Sequence, residues 1–258
     1  MLVHGLASNA RLWDGVGDVL AGLGHRVAAV DLRGHGRSDK PDHGYDYPTV
    51  CDDVAAVVDA LGMDRPVVVG QSWGGNVVLE LAARHPHLAR GAACVDGGTL
   101  DLQARFASWG ECASALAPPR LEGTPFTDIE RMLRAMHADW PESGIAGALA
   151  CFEVRADGTV APWLTRERHL AILRAMWDRR PGDVYGAVKI PVLLVPAADG
   201  DEEATSRKER EIAAAESALA TVRTRWFRPA HHDVHAQHPV DVGTLLHDCV
   251  ADGFFSAS

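Results

Sequence analysis

Ser72 stands in the run Gly70-Gln71-Ser72-Trp73-Gly74-Gly75, directly after the apolar stretch Pro66–Gly70 and directly before a segment with helical spacing. A serine on a tight strand-to-helix turn projects its hydroxyl off the sheet edge, where a base can take the proton and free the oxygen to attack a carbonyl carbon. Such a turn demands small residues two positions to either side, and Gly70 and Gly74 meet that demand. The Trp73 backbone N–H then lies free at the start of a helix, where it can hold a developing oxyanion. A second donor of this kind, the Leu6 N–H, follows His4-Gly5 at the end of the first short apolar run. Dinucleotide binding at these glycines is excluded, because the GxGxxG spacing is absent. A base for Ser72 is on offer in the stretch AHHDVHAQHP at 230–239, which holds His231, His232, His235 and His238 between the last strand and the last helix. A zinc site would use the same residue types, but no second ligand cluster accompanies them.

These groups must converge at one edge of a sheet, and the pattern of the chain supplies one. Short apolar runs alternate with helical patterns, the mark of a parallel sheet covered by helices. Val27–Leu32, Pro66–Gly70 and Ala92–Val95 read as strands, with helices over Thr49–Leu61 and Asn76–Arg84 between them. The texture returns late as strand Pro191–Val195, helix Ala204–Leu219, strand Val222–Phe227 and helix Val240–Val250. Between them, residues 100–185 show no β-rich run, while Glu130–Ala138 and Arg166–Trp177 have helical spacing. The expected organisation is a core of 1–99 with 186–258, interrupted by a helical insertion at 100–185. Trp109, Trp140, Trp163 and Trp177 fall within the insertion, where large aromatics either line an apolar pocket or fill a small core. His35, His85 and His87 sit beside turns and read as surface residues.

The bulk properties narrow the partners. With 258 residues and 47% hydrophobic content the chain has material for a large buried core. Its net charge of −10, without a basic block, is the wrong sign for nucleic acid or anionic lipid. There is no run of about 18 apolar residues, and Met1-Leu2-Val3-His4-Gly5 lacks the features of a signal peptide, so a cytoplasmic location is expected. Cys51, Cys94, Cys112, Cys151 and Cys249 are scattered without CxxC spacing and read as small buried hydrophobes.

The chain resembles the α/β-hydrolase superfamily over almost its whole length, through HG at 4–5, DLRGHGRSD at 31–39, GQSWGG at 70–75, PVLLV at 191–195 and the segment around 231–239. The resemblance implies an α/β fold with a mostly parallel central sheet flanked by helices, and the insertion as a helical cap between that family's sixth and seventh strands. Family members begin with a strand pair, whereas this chain starts three residues before His4, so the resemblance implies a sheet lacking its first pair and exposing an edge. The family's catalytic histidine stands seven residues before the proline opening the final helix, which singles out His232, seven before Pro239. The acid stays open. It usually follows the seventh strand in a GxxD turn, and here Pro196-Ala197-Ala198-Asp199-Gly200-Asp201 lacks the leading glycine, leaving Asp199 and Asp201. A minority place it after the sixth strand, and Asp96 stands 24 residues beyond Ser72.

Taken together, these readings imply Ser72 as nucleophile, His232 as base, one of Asp96, Asp201 or Asp199 as its partner, and Leu6 and Trp73 N–H groups around the oxyanion. Trp73, Trp109, Trp140, Trp163 and Trp177 are the expected pocket walls. The expected substrate is a small, largely apolar carboxylic ester or lactone, hydrolysed through an acyl-enzyme with no cofactor and no metal. A carbon–carbon bond hydrolase or lyase, or a slow-turnover ligand receptor, are the alternatives on the same fold.

Overall fold

The computed structural model describes residues 1–256. The first part of the chain runs β1 (Leu2–Val3), α1 (Asp14–Gly22), β2 (Ala29–Val30), α2 (Tyr47–Ala60), β3 (Val67–Gln71), α3 (Trp73–Arg84) and β4 (Gly91–Val95). A mainly helical stretch follows, with α4 (Leu102–Arg105), α5 (Trp109–Ala115), α6 (Phe126–Met136), α7 (Glu142–Leu149), the strands β5 (Phe152–Val154) and β6 (Val160–Pro162), α8 (Arg166–Asp178) and α9 (Gly182–Tyr185). The chain then returns through β7 (Val192–Val195), α10 (Glu202–Ala218), β8 (Val222–Thr224), α11 (Val234–Gln237) and α12 (Pro239–Ala251). Six strands form one sheet in the order β2-β1-β3-β4-β7-β8, every neighbouring pair parallel.

Alternation along the strands divides the apolar residues between the two faces of this sheet. Val3, Val68, Ala92, Cys94, Val192 and Leu194 face a core built with α2, α3, α8 and α10. Leu2, Val69, Ala93, Val95, Leu193 and Val195 face the opposite core, built with α1 and α12. The strands are shorter than the apolar runs that announce them: only Ala29–Val30 pairs within 27–32, and β2 ends the sheet on that side. No helix among the described residues is long and apolar enough to cross a membrane.

The 100–185 stretch departs from expectation in one respect. It contains an antiparallel hairpin, β5 with β6, which pairs Val154 with Val160 across a turn where the Asp157 carboxylate accepts the Thr159 N–H at 2.9 Å. Three-residue strands carry too little alternation to register as a period. The stretch does not form a separate globule. Leu102, Cys112, Leu164, Ile172, Leu173, Met176 and Tyr185 lie in the same core as α2 and α3. Polar ties join it to the rest as well, among them Arg168 Nη2 to the Lys40 carbonyl at 2.7 Å and Gln237 to Asp139 at 2.5 Å.

Candidate active site

Strands β3 and β4 pair in register from Val67 opposite Gly91 to Gln71 opposite Val95. Ser72 and Asp96 are therefore the next residues on adjacent parallel strands and leave the sheet side by side. Ser72 holds φ 54° and ψ −123°, a strained conformation that costs of order 1–3 kcal/mol and persists only where the surroundings dictate it. They do so here: its N–H donates to the Val95 carbonyl at 3.0 Å and its carbonyl accepts the Gly75 N–H at 2.9 Å. The turn has no room for larger neighbours, since a Cβ on Gly70 would lie 2.0 Å from the Gly74 carbonyl oxygen. On the β4 side, a Cβ on Gly97 would lie 2.2 Å from the Ser72 carbonyl oxygen and 2.7 Å from its nitrogen.

Asp96, with a side chain 3% exposed, receives His232 Nδ1 on Oδ2 at 2.6 Å and the Ala197 N–H on Oδ1 at 2.9 Å. Burial alone would raise the pKa of Asp96, but the hydrogen bond and charge of His232, with Lys208 and the Ala197 amide, outweigh it and hold the carboxyl below its ordinary value. Burial likewise acts to lower the pKa of His232. The hydrogen bond and charge of Asp96, with a contribution from Asp233, prevail over burial and the opposing charge of Lys208, so the imidazole sits above its ordinary 6.5. The ring is half exposed, at 49%. Its backbone is held near the serine turn by Gln71, whose Nε2 donates to the His232 carbonyl at 3.3 Å. Among the described residues no hydrogen bond links Ser72 Oγ to His232. A cavity of about 170 Å³ opens beside Asp96 and His232, lined also by Leu100, Arg105, Arg207 and Lys208. A larger one, about 610 Å³, lies between residues 42–48, α3 and α8 and contains none of these groups.

The Gly5-Leu6 loop lies against the serine, with a Cβ on Gly5 coming within 3.0 Å of the Ser72 Cβ. Neither the Leu6 nor the Trp73 N–H is taken up by another group among the described residues. The loop rests on buried imidazoles. His4 Nε2 accepts the Leu32 N–H at 3.0 Å, and His35 Nε2 accepts the Ala7 N–H at 3.2 Å. Burial pushes His4 down to about 4 and His35 well below its usual value, so both act as neutral acceptors. This corrects the surface reading of His35, which is 1% exposed and stacks on Trp73 with 5.8 Å between ring centroids. His85 and His87 lie outside the core as expected.

Other sequence candidates take different places. Asp201 caps α10, its carboxylate accepting the Ala204 N–H at 2.9 Å, and Asp199 accepts the Asp201 N–H at 3.2 Å; neither bonds His232, although Asp199 lines the same cavity. His235 is buried against Trp13 at 4.3 Å and His238 stacks on Phe227 at 6.4 Å, so the histidines of this loop diverge. The indole of Trp73 belongs to the core, and Trp140 is buried on His137 at 3.9 Å. Trp109 and Trp177 pack on each other at 6.3 Å, and Lys40 lies over Trp163 at 4.8 Å. None of these five lines the cavity beside His232. Sequence reasoning missed the Gln71 and Ala197 contacts and the Lys208 ammonium; no spacing rule points to any of them.

With this geometry in view, similarity to known proteins is informative. A family described as alpha/beta hydrolase fold matches residues 1–127. The chain is 29% identical over 208 residues to the AB hydrolase superfamily protein YisY of Bacillus subtilis (strain 168), covering 76% of this chain and 71% of that protein. It is similar in structure to E-2-(acetamidomethylene)succinate hydrolase, with a TM-score of 0.72 and 23% identity over 97% of this chain and 90% of that one. A novel esterase from Mycobacterium tuberculosis gives a TM-score of 0.73 and 23% identity over 97% of this chain and 83% of that one. At these identities the two structures share the fold with this chain.

Proposed function

This chain belongs to the α/β-hydrolase superfamily, and on that premise we propose that it is a serine hydrolase cleaving a carboxylic ester or lactone of a small molecule. Ser72 Oγ attacks the carbonyl carbon while His232 takes its proton. Asp96, bonded to Nδ1, holds the imidazole in the tautomer whose Nε2 is the base and stabilises the imidazolium that forms. The N–H groups of Leu6 and Trp73 receive the oxyanion. His232 returns the proton to the leaving alcohol, and the acyl-enzyme is released when the same imidazole activates water. Residues 100–185 are assigned the part of a cap over this edge of the sheet.

One observation carries the reading: a buried carboxylate, Asp96, bonds a half-exposed imidazole at 2.6 Å immediately beside a serine held in a strained strand-to-helix turn. A solved esterase has the same fold, so the fold accommodates the ester class. A largely apolar substrate, by contrast, gains nothing from the positions of the tryptophans. The test is Ser72→Ala, which should lower turnover of p-nitrophenyl acetate by on the order of 10⁶ and abolish labelling by a fluorophosphonate. A variant that keeps a tenth of the wild-type rate sinks the proposal.

A further inference from the structure

Helix α10 reads in sequence as a charged amphipathic helix, and one of its cations turns inward. Lys208, 23% exposed, places Nζ 2.6 Å from Oδ1 and 2.8 Å from Oδ2 of Asp96, and 2.5 Å from the Ala197 carbonyl oxygen. An ammonium has three donors, and all three are used. Counting the Ala197 N–H on Oδ1 and His232 Nδ1 on Oδ2, each Asp96 oxygen receives two donors. A carboxylate so surrounded cannot turn about its own axis without breaking charge-assisted bonds.

We infer that Lys208 is a positioning residue of the catalytic site: it clamps the Asp96 carboxylate in the plane that aims Oδ2 at His232 and offsets part of the negative charge available to the imidazolium. The inference rests on the serine–histidine reading above. Without Lys208 the pair formed during attack, Asp96 with protonated His232, would be neutral; with it, the trio carries one positive charge. Other charged groups also face this imidazole. Asp233 adjoins it in the chain and His235 lies behind it on α11, while Asp199, Arg105 and Arg207 line the shared cavity. Arg105 is engaged by Glu211 at 2.6 Å, which leaves Lys208 as the cation in direct contact with the acid. The direction agrees, for Asp96 pulls His232 upward and Lys208 pulls it back.

Lys208→Met removes the charge and keeps the stem; Lys208→Arg keeps the charge. The titration of the His232 ring, followed by NMR in a Ser72→Ala background, reads the effect without turnover. In Lys208→Met it should rise by about one pH unit, the size of effect a like charge within about 6 Å produces. The acid limb of kcat/KM for p-nitrophenyl acetate, measured with Ser72 present, should rise equally, so that below both limbs kcat/KM falls about tenfold. Lys208→Arg should bring both back toward wild type. The inference is overturned if Lys208→Met titrates where the wild type does, or if Lys208→Arg is displaced as far as Lys208→Met. Lys208→Gln replaces the methionine variant, with the same outcomes, should that one not fold. Retention of hydrolysis by Ser72→Ala would sink the serine reading instead, leaving the NMR result to judge Lys208 by itself.

Discussion

Gly97→Ala adds one methyl group at a place with no titratable function, and the structure says what that methyl meets. Its Cβ would lie 2.2 Å from the Ser72 carbonyl oxygen, 2.7 Å from the Ser72 nitrogen and 2.9 Å from the Ser72 carbonyl carbon. Relaxed non-bonded contacts to carbon sit at about 3.5 Å, so roughly 1 Å must be recovered against backbone, not against a side chain that can swing away. Neither partner yields freely. The Ser72 N–H and carbonyl are both bonded, to Val95 and Gly75, and Asp96 is tied to β7 through its own N–H at 2.9 Å from the Val195 carbonyl. Overpacking of this kind costs roughly 1–3 kcal/mol. A 1 Å displacement of the nucleophile should lower kcat/KM by about 10²-fold. The assay pairs p-nitrophenyl acetate kinetics and the rate of fluorophosphonate labelling with a thermal melt, all read well below the melting transition. Gly182→Ala is the control, because its Cβ would meet nothing within 4 Å and should change neither property for the worse. If Gly97→Ala melts lower but labels at the wild-type rate, or is unchanged in both, the claimed coupling between Gly97 and the nucleophile is wrong.

Asp96→Asn should cost about 10⁴ in turnover, whereas Asp201→Ala should leave activity within a few-fold and remove only about 1 kcal/mol of helix capping; equal losses in the two would refute the assignment of the acid. His4 and His235 are pushed down to about 4 by burial, so the unfolded chain binds their protons first. Their contribution to stability is complete above pH 6.5 and falls as pH drops toward 4, by roughly 3 kcal/mol each, which urea midpoints measured across that window should show and a flat profile would contradict. Trp140→Ala should lose roughly 3–5 kcal/mol of stability, because the indole is 8% exposed; an unchanged melt with altered ester preference would restore it to the pocket.

The serine turn and the two-faced sheet were legible because each leaves a local mark. Glycines flank Ser72 at the spacing its turn imposes, and the apolar runs at 66–70 and 191–195 are buried on both sides of a parallel sheet. The choice of acid was not legible. Three aspartates follow strand ends, and only packing decides that Asp201 is drawn off to cap α10 while Ala197, one strand across from Asp96, lends its amide to that carboxylate. Lys208 escaped for a related reason: an inward-turning lysine on a charged helix has the same periodicity as a solvated one. His35 was misplaced because a turn usually faces water, whereas this one is folded under the Gly5-Leu6 loop between His4 and Trp73.

The pairing of β3 with β4 carries a lesson about how such proteins are best sought. Val67 faces Gly91 and Gln71 faces Val95, a constant offset of 24 residues, which is also the distance from Ser72 to Asp96. That distance is therefore the length of the connection through α3 and back, and has no chemical meaning of its own. A residue inserted in the loop at 85–90 would alter the count and leave Ser72 and Asp96 level with each other. A residue deleted inside β3, ahead of Ser72, would leave the count unchanged, yet it would turn the Ser72 side chain to the opposite face. Searches keyed to a fixed interval will discard working enzymes and retain broken ones, while alignment on the last paired residue of each strand separates the two.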